Sequence, residues 1–519
     1  MGQSGKTNFI GIDLGTTFSA MAFIDSFGRP STIPNSNGNN TTPSVVLFGA
    51  DGIIVGEEAV QAATMEADRV AECAKRDMGS RHFRKSLGGK QLPPEVISSY
   101  ILKKLKADAE RRLGPISHAV ITVPAYFDEK RRQATVNAGR LAGLEVLDIL
   151  NEPTAAAIAY GFHRGFLKHG NHDAEKPIRV LVYDLGGGTF DVTLMEIKGD
   201  HFRTLATDGD VKLGGRDWDE KLVNLIAERF IREHREDPRQ NQESLYDLYR
   251  AAETAKRTLT EREQALVVMS HVGTRFKTTI NRADFEGATA ALLNRTRITT
   301  EIVLQQSKLT WNDVDRVLLV GGSSRMPMVE RMLKEVTGKD PDRSVSPDDA
   351  VAQGAALYAE LMIQKRGLGT AHNQFSVTNV NSHSLGIIGI KPDTGRRMNR
   401  VVIPKNSPLP AMAKMNFTTH RPDQRSVLVT VVEGESEDPE ACTPVGQFMV
   451  RDLPPGLPAK WPVQIVYQYS ENGCLKVNAM VAGQQQGAST EFVRDNSLSD
   501  DDLMAWGQRL KSSNDYFAV

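Results

Sequence analysis

The sequence predicts an α/β fold of two similar lobes, followed by a smaller all-β domain. Two observations predict the lobes: the apolar run Val180–Tyr183 ends in Asp184 and a glycine turn, and the apolar run Phe9–Ile12 ends in Asp13 and a similar turn. Short apolar runs bounded by turn residues are typical of buried strands, so one strand-and-turn unit occurs twice, far apart in the chain. A third observation predicts the all-β domain, because β-branched residues dominate Val427–Val432 and such residues favour strands.

Length and composition limit the class of protein. The 519 residues suggest two or three domains, and 40% hydrophobic with 24% charged residues is the usual composition of a soluble globular protein. The net charge of −1 gives no electrostatic case for nucleic acid or an anionic membrane as a partner. Three cysteines are too few and too scattered for a disulfide framework or a zinc site. The N-terminus has no apolar core and no apolar run is long enough to span a membrane, so we expect a cytoplasmic protein.

The turn after Val180–Tyr183 has the residue types of a phosphate site. Glycines permit a tight turn and a close approach of backbone N–H groups to a bulky anion; here they are Gly186, Gly187 and Gly188, followed by Thr189. Asp184 and Asp191 flank these residues. Carboxylates beside a phosphate imply a cation between them, and Mg²⁺ that keeps its waters is the best candidate.

The earlier turn repeats this pattern with Asp13, Gly15, Thr16 and Thr17. On its own, either turn is equally well explained as a hairpin with a solvated aspartate. The two together favour a pair of lobes that hold one nucleotide, with Mg²⁺ bound through water to Asp13 and Asp184.

A third glycine turn follows another apolar run, Val317–Val320. It contains Gly321, Gly322, Ser323 and Arg325. Small residues would let a nucleoside approach the backbone, and an arginine would stack on a base or bind phosphate. Taken alone, this segment is an ordinary strand–loop–helix turn.

Four motifs, in order, resemble the ATPase half of the DnaK-type, seventy-kilodalton heat-shock chaperones: DLGTT from Asp13, NEPTAAAIAYG from Asn151, DLGGGTFDV from Asp184 and GGSSRMP from Gly321. The resemblance extends from about Phe9 to Leu361 and continues more weakly to about Lys511. It implies a two-lobed, actin-like (ribonuclease-H-like, duplicated) ATPase domain followed by a β-sandwich that binds peptide. The implied segments are an ATPase domain at 7–363, a linker at 364–378, a sandwich at 379–497 and a short remnant of a helical lid at 498–519.

The resemblance also implies ATP or ADP with Mg²⁺ as cofactors, K⁺ as a further candidate ion, and roles for single residues. Lys75 would neutralise charge on the γ-phosphoryl group, and Glu152 and Asp191 would position water, with Asp184 and Thr189 completing the catalytic set. The remaining nucleotide contacts would be Gly214, Gly215, Glu253, Lys256, Arg257 and Asp348. Without the resemblance, Lys75 would be a solvated lysine, Glu152 a helix cap and Glu253–Arg257 an ion-paired helix face.

The chain departs from the family pattern in four places. The segment between Phe83 and Pro94 is short where the family has a long insertion, and the region FSVTNVNSHSLGI, which begins at Phe375, lacks the leucines and the aspartate of the family linker. Asp148 stands where the family usually has a basic residue. A helix that begins at Ser499 and ends near Lys511 replaces the long lid. We therefore expect weakened coupling between ATP and peptide binding, and fast peptide release.

The family resemblance implies that three apolar residues line a peptide groove: Ile387, Ile390 and Val427. A place in the sandwich core explains them almost equally well. The leading hypothesis is an ATP-hydrolysing chaperone that binds unfolded or extended apolar polypeptide, with J-domain and nucleotide-exchange co-chaperones as further partners. Two alternatives are an ATP-gated scaffold or sensor with one dedicated protein partner, and a small-molecule kinase of the same fold.

Overall fold

The computed structural model describes residues 8–50, 52–63, 65–167, 176–391, 394–419, 421–451, 453–481, 490–494 and 498–512. The predicted segment boundary at residue 497 and the last residues of the predicted lid remnant lie outside these ranges. None of the helices in the described ranges has the length and apolar character needed to cross a membrane.

The first lobe is built on a six-stranded sheet in the order β3-β2-β1-β8-β9, with β4 paired to β2, and on a small sheet β6-β5-β7. Strand β1 pairs antiparallel with β2 and parallel with β8. Its strands are β1 (Phe9–Asp13), β2 (Phe18–Ile24), β3 (Pro30–Thr32), β4 (Thr41–Pro43), β5 (Val45–Phe48), β6 (Ile53–Val55), β7 (Val70–Glu72), β8 (His118–Val123) and β9 (Glu145–Asn151). Its helices are α1 (Glu57–Ala62), α2 (Pro94–Leu113), α3 (Glu129–Leu141) and α4 (Glu152–His163).

The second lobe repeats this plan, as the duplicated motif predicted. Strand β10 pairs antiparallel with β11 and parallel with β15. The sheet has the order β15-β10-β11-β12-β16, in which the edge strand β16 is Ser376–Thr378. Its strands are β10 (Ile178–Leu185), β11 (Phe190–Lys198), β12 (His201–Asp210), β13 (Gln264–His271), β14 (Thr274–Asn281) and β15 (Arg316–Val320). Its helices are α5 (Gly215–His234), α6 (Gln242–Glu261), α7 (Arg282–Gln306), α8 (Pro327–Thr337) and α9 (Ala350–Lys365). The motif aspartates Asp13 and Asp184 therefore lie at matching ends of the two central strands.

Two helices lie between the lobes and cross at very short range. The alanine run of α4 is buried with Val180 and Val182 of the second sheet, whereas α9 packs on β1, since a Cβ added to Gly11 would lie 2.1 Å from the backbone nitrogen of Ala356. A Cβ on Gly354 would lie 1.8 Å from the carbonyl oxygen of Ala155. Small residues in both helices, the alanine run of α4 and Gly354 of α9, therefore permit backbone-to-backbone contact.

One predicted helix is wrong. The spacing of apolar residues over Gly56–Cys73 predicts a helix, but α1 ends at Ala62 and the segment continues into β7, which pairs with β5. The apolar side chains of this stretch cover a small sheet rather than one helix face. Cys73 then adopts a left-handed conformation with φ of 56°, and a short 3₁₀ helix over residues 74–77 holds Lys75.

The segment after α9 joins the second lobe before it enters the β-sandwich. β16 (Ser376–Thr378) pairs parallel with β12, and Phe375 is buried against Phe202. The sandwich combines sheets of order β18-β17-β20-β21-β24 and β19-β22-β23. Its strands are β17 (Leu385–Ile390), β18 (Arg397–Ile403), β19 (Ala411–Thr418), β20 (Val427–Glu433), β21 (Thr443–Val450), β22 (Pro462–Tyr469), β23 (Leu475–Val481) and β24 (Thr490–Arg494). Asn472-Gly473, a dipeptide that favours tight hairpins, joins β22 to β23, with Gly473 at φ 76°.

One end of the sandwich contacts the two-lobed domain. We call this the near end (residues 379–384, 404–410, 433–442 and 470–474). The opposite end is the far end (the segments 391–400, 419–426 and 451–461, of which residues 392, 393, 420 and 452 lie outside the described ranges). Lys405 pairs with Asp208 at 2.7 Å, and His383 Nε2 lies 3.1 Å from the carbonyl oxygen of Tyr126. A final helix, α10 (Asp500–Ser512), packs Leu510 against α2 and α3.

Asp148 contributes to this docked arrangement although it replaces a basic residue of the family pattern. Its carboxylate accepts a hydrogen bond from the Tyr358 hydroxyl at 3.0 Å and from the backbone N–H of Ile149 at 2.9 Å. A further hydrogen bond to the Asn472 side chain connects it to the near end, and burial raises the pKa of Asp148. A hydrogen-bonded contact thus stands where the family usually has a basic residue.

Candidate functional site

The two repeated glycine turns touch each other at the floor of the cleft between the lobes. A Cβ added to Gly187 would lie 2.3 Å from the Thr17 hydroxyl oxygen, and one added to Gly188 would lie 2.3 Å from Thr16 Cγ2. Only glycine permits this approach. The contact brings the two turns together at one place in the cleft. Glycine-rich turns of this kind can let a bulky anion such as a polyphosphate approach the backbone.

Two further glycine segments pack against the turn in the second lobe. The N–H of Gly215 donates to the carbonyl oxygen of Gly186 at 2.9 Å, and a Cβ on Gly214 would lie 2.5 Å from the nitrogen of Gly188. Ser323 lies next to them, because its hydroxyl oxygen would be 2.4 Å from a Cβ on Gly215. The same region contains Gly321 at φ 78°, beside Asp184, and Gly322, around which a Cβ would meet open space. These predicted nucleotide contacts therefore converge.

One lysine and four carboxylates lie together where the turns meet. Lys75 is only 5% exposed, and its ammonium group donates to Glu152, the first residue of α4. Asp13 accepts a hydrogen bond from Thr122 at 3.1 Å. Asp191 accepts one from the N–H of Tyr126 at 2.9 Å and pairs across the hairpin with Asp184. The cluster therefore brings together residues from both lobes that are far apart in the chain.

Burial and mutual repulsion raise the pKa values of these carboxyl groups. Burial, followed by the Glu152 carboxylate, raises the pKa of Asp191 to about 8 and that of Asp13 to about 7. The pKa of Asp184 is raised well above its ordinary value by burial and by Glu152, Asp191 and Asp13. One ammonium group does not balance four carboxylates, so the ionised cluster requires additional positive charge.

The structure adds residues that the sequence did not identify. Arg76 donates to the carbonyl oxygen of Gly188 at 2.9 Å and forms an ion pair with Asp217, so it connects the lobes across the cleft. Thr122 and Tyr126 orient Asp13 and Asp191. Arg76 directly follows Lys75 in the sequence, and this position could have identified it. Thr122 contributes a hydroxyl group and Tyr126 a backbone N–H, and no sequence motif reveals either.

The predicted nucleoside contacts lie at the mouth of the cleft on α6 and near α9. Lys256 pairs with Asp219 at 2.7 Å and donates to the carbonyl oxygen of Gly215 at 3.1 Å, which places it beside the glycine segments. Arg257 pairs with Glu253 and lies over the Phe18 ring of the first lobe, 5.3 Å from its centroid. An ion pair also joins the other two predicted residues, Arg325 and Asp348. The residues on α6 thus form an ion-paired helix face and also lie at the cleft, so both interpretations of them agree with the structure.

The cleft mouth is bridged by a second group around Glu72. Glu72 accepts a hydrogen bond from the Tyr246 hydroxyl at 2.8 Å and lies 3.7 Å from the Arg216 guanidinium. That guanidinium stacks on Tyr249, 3.7 Å from the ring centroid. Because Glu72 belongs to the first lobe and its three neighbours to the second, this group holds the lobes close together beside the glycine turns.

The three predicted peptide-binding residues do not share one face of the sandwich. Ile387 is 1% and Val427 8% exposed, and both pack in the sandwich core, whereas Ile390 is 72% exposed. Successive residues of a strand point to opposite faces, so Ile387 and Ile390, which are three residues apart, lie on opposite faces of the sheet. Of the two positions considered from the sequence, groove or sandwich core, Ile387 and Val427 occupy the core in this conformation.

The sheet opens beside these residues, toward the far end. Strands β17 and β20 are paired only at Leu385–Glu433, Gly386–Val432 and Ile387–Val431 among the described residues. β17 nevertheless stays paired to β18 as far as Ile390, and β20 to β21 as far as Val427. The facing edges 388–390 and 427–430 thus leave a gap in which backbone groups are without ladder partners. The exposed side chains of Ile390 and Leu428 lie beside it.

Comparison with known proteins identifies the family. The model of the Hsp70 protein family matches residues 9–87 and 82–514. Proteins named chaperone protein DnaK from Thermosipho africanus, Thermotoga neapolitana and Thermotoga petrophila are each 37% identical to this chain, over 96% of its length and 82% of theirs. The resemblance inferred from the four motifs, and the actin-like plus sandwich fold that it implied, are thereby confirmed: this chain belongs to the Hsp70 family.

Proposed function

We propose that this protein is an ATP-dependent chaperone that hydrolyses ATP between its lobes and binds extended apolar polypeptide in its sandwich. The observation that supports this most directly is the meeting of two glycine turns with Lys75 and four buried carboxylates. The phosphates would lie on Gly15–Thr17 and Gly186–Thr189. Lys75 would neutralise charge that develops on the γ-phosphoryl group, and Glu152 and Asp191 would orient the attacking water. Such catalysis is mostly positioning and electrostatic stabilisation.

The residues present suit a hydrated Mg²⁺. Asp191 Oδ2 is buried and has no hydrogen-bond partner among the described residues, and the cluster requires additional positive charge. Asp13 and Asp184, from matching strand ends, would hold the ion through its waters. Mg²⁺ usually keeps several waters and needs only one or two carboxylates. When bound, the ion would neutralise phosphate charge; K⁺ remains a prediction from the family resemblance.

The gap between β17 and β20 is the proposed peptide site. An extended segment can add hydrogen bonds to unpaired strand edges, while pockets for its side chains give preference for apolar residues. Ile390 and Leu428 offer apolar surface at the gap, and Ile387 and Val427 lie beneath it in the core. The predicted groove residues thus divide into surface and floor.

Coupling between the two sites would pass through the docked near end. The N–H of Glu129, in the first turn of α3, donates to the Glu433 carboxylate of the sandwich at 3.0 Å. Tyr126, which precedes α3, binds Asp191 of the cleft on one side and contacts His383 on the other. ATP would influence peptide binding only to the extent that it binds docked and undocked forms differently.

Glu433→Gln is expected to reduce the pH dependence of docking. Burial, followed by the Asp128 carboxylate, raises the pKa of Glu433 from 4.5 to about 8, although hydrogen bonds from Tyr469 and the Glu129 N–H oppose this. A pKa raised in the docked form favours docking below about pH 4.5, and this contribution is lost as pH rises toward and through 8. Small-angle scattering from pH 6 to 9 should show the wild type expanding as pH rises, while the variant expands less.

Glu440→Gln provides the matched control, since Glu440 is exposed on the same loop. It should expand with pH as the wild type does. Superimposable curves for the wild type and Glu433→Gln would remove Glu433 from the docking equilibrium.

The central experiment measures ATP hydrolysis with and without an apolar, extended peptide. A chaperone ATPase coupled to its sandwich should bind the peptide and change its turnover when the peptide is present. Failure to bind such a peptide would contradict the proposal and favour the alternative, a scaffold with one dedicated protein partner. J-domain and nucleotide-exchange co-chaperones can be added to the same assay to test the partners implied by the family.

A further inference from the structure

The two ends of the sandwich carry opposite charge. By sequence, the far end contains eight basic and three acidic residues, whereas the near end contains one basic and six acidic residues. The near end faces the two-lobed domain, where Lys405 pairs with Asp208 and Glu433 binds the N–H of Glu129. The far end faces away from that domain, so its positive charge is directed toward solvent or a ligand.

Four arginines of the far end have no acidic partner among the described residues. Arg396, Arg397, Arg400 and Arg421 are exposed and form no ion pair in the part of the chain that the structure describes. Arg425 has a partner, Asp423 at 3.5 Å, but both side chains are more than half exposed. Exposed ion pairs of this kind contribute little free energy. A carboxylate of a bound peptide could therefore replace Asp423 as the partner of Arg425 at little cost.

These cations stand on both sides of the gap between β17 and β20. On one side Arg397 lies directly opposite Ile390 in the β17–β18 ladder, and directly opposed residues share a face of the sheet. On the other side, Arg421 and Arg425 belong to the loop that leads into β20 just before Leu428. Segments that carry exposed arginines therefore lie on both sides of the apolar surface at the gap.

We infer that the sandwich selects extended polypeptides whose apolar core is flanked by acidic residues. This rests on the proposed peptide site, and it names the chemistry of the segment that the site takes. Apolar side chains would fill the gap while Asp or Glu on either side meet the far-end arginines. Each exposed pair changes affinity by a factor of up to about 5, so several together should give roughly tenfold preference over a basic-flanked peptide.

The test uses three fluorescent peptides with one apolar core and acidic, neutral or basic flanks. Anisotropy titrations with the full chain should give the tightest binding for the acidic flanks, then the neutral, then the basic. Raising salt to about 0.5 M should reduce these differences, since exposed charges are then screened beyond a few ångströms. An unlabelled neutral peptide should displace the acidic one, because both occupy the same gap.

Arg396→Glu/Arg397→Glu should reverse the order of the acidic and basic peptides while leaving the neutral peptide nearly unaffected. Arg275→Glu/Lys277→Glu is the control, because it makes the same change in charge at exposed positions of β14 on the second lobe. It should preserve the wild-type order.

The outcomes separate the two levels of the proposal. Equal affinities for all three peptides, with the neutral one bound, would overturn the acidic preference and leave the peptide site intact. Retention of the wild-type order by Arg396→Glu/Arg397→Glu would likewise overturn the assignment to these arginines. Failure of all three peptides to bind would overturn the peptide site and the preference together.

Discussion

Replacing Lys75 by alanine is expected to lower the rate of ATP hydrolysis at least about a hundredfold while ATP still binds. Removal of a preorganised charge that acts on the transition state typically has an effect of this size or larger. Lys75 is buried and donates to Glu152, so solvent has little access to its position. Binding should persist because the glycine turns and the metal ion hold the phosphates. Single-turnover hydrolysis and calorimetric titration with ATP measure the two properties separately.

Lys198→Ala is the matched control, because Lys198 is an exposed lysine at the end of β11. It should hydrolyse ATP at the wild-type rate. Unchanged turnover in Lys75→Ala would exclude Lys75 from the mechanism, and loss of ATP binding would show instead that it holds the ground state.

The cleft could be predicted from the sequence because its chemistry is local. Glycine turns, flanking carboxylates and the strands before them occupy short segments, and the structure places Asp13, Asp184 and Asp191 in one cluster. What the sequence does not contain is the set of neighbours that these groups acquire. Thr122 reaches Asp13 because β8 lies beside β1 in the first sheet. The N–H of Tyr126 reaches Asp191 because the two lobes meet at the cleft.

The sandwich was predicted less well, for a reason that strand geometry explains. Ile387 and Ile390 were assigned to one groove, yet residues three apart on a strand face opposite sides. The expectation of weak coupling is of a different kind. The linker and Asp148 depart from the family pattern, but the structure has a docked near end, in which the Asn472 side chain hydrogen-bonds Asp148. Sequence comparison registers the lost contact, whereas only the assembled interface reveals what replaces it.

Gly354→Ala is expected to lower stability by about 3 kcal/mol, at the upper end of the usual cost of overpacking. The added Cβ would lie 1.8 Å from the carbonyl oxygen of Ala155, and backbone cannot rotate away as a side chain does. Helices α4 and α9 must therefore separate. Because Glu152 begins α4, the same movement should displace Glu152 from Lys75 and slow hydrolysis. Thermal unfolding and ATPase rates measure the two effects.

Gly287→Ala distinguishes this packing effect from helix propensity. Gly287 lies within α7, and a Cβ there would meet nothing within 4 Å. Alanine should therefore stabilise the protein by about 0.5–1 kcal/mol, since glycine is the poorer helix former. The same substitution is thus expected to have opposite signs in two helices. Equal changes in melting temperature would mean that α4 and α9 separate without cost, and the close crossing would then not be what fixes Glu152 beside Lys75.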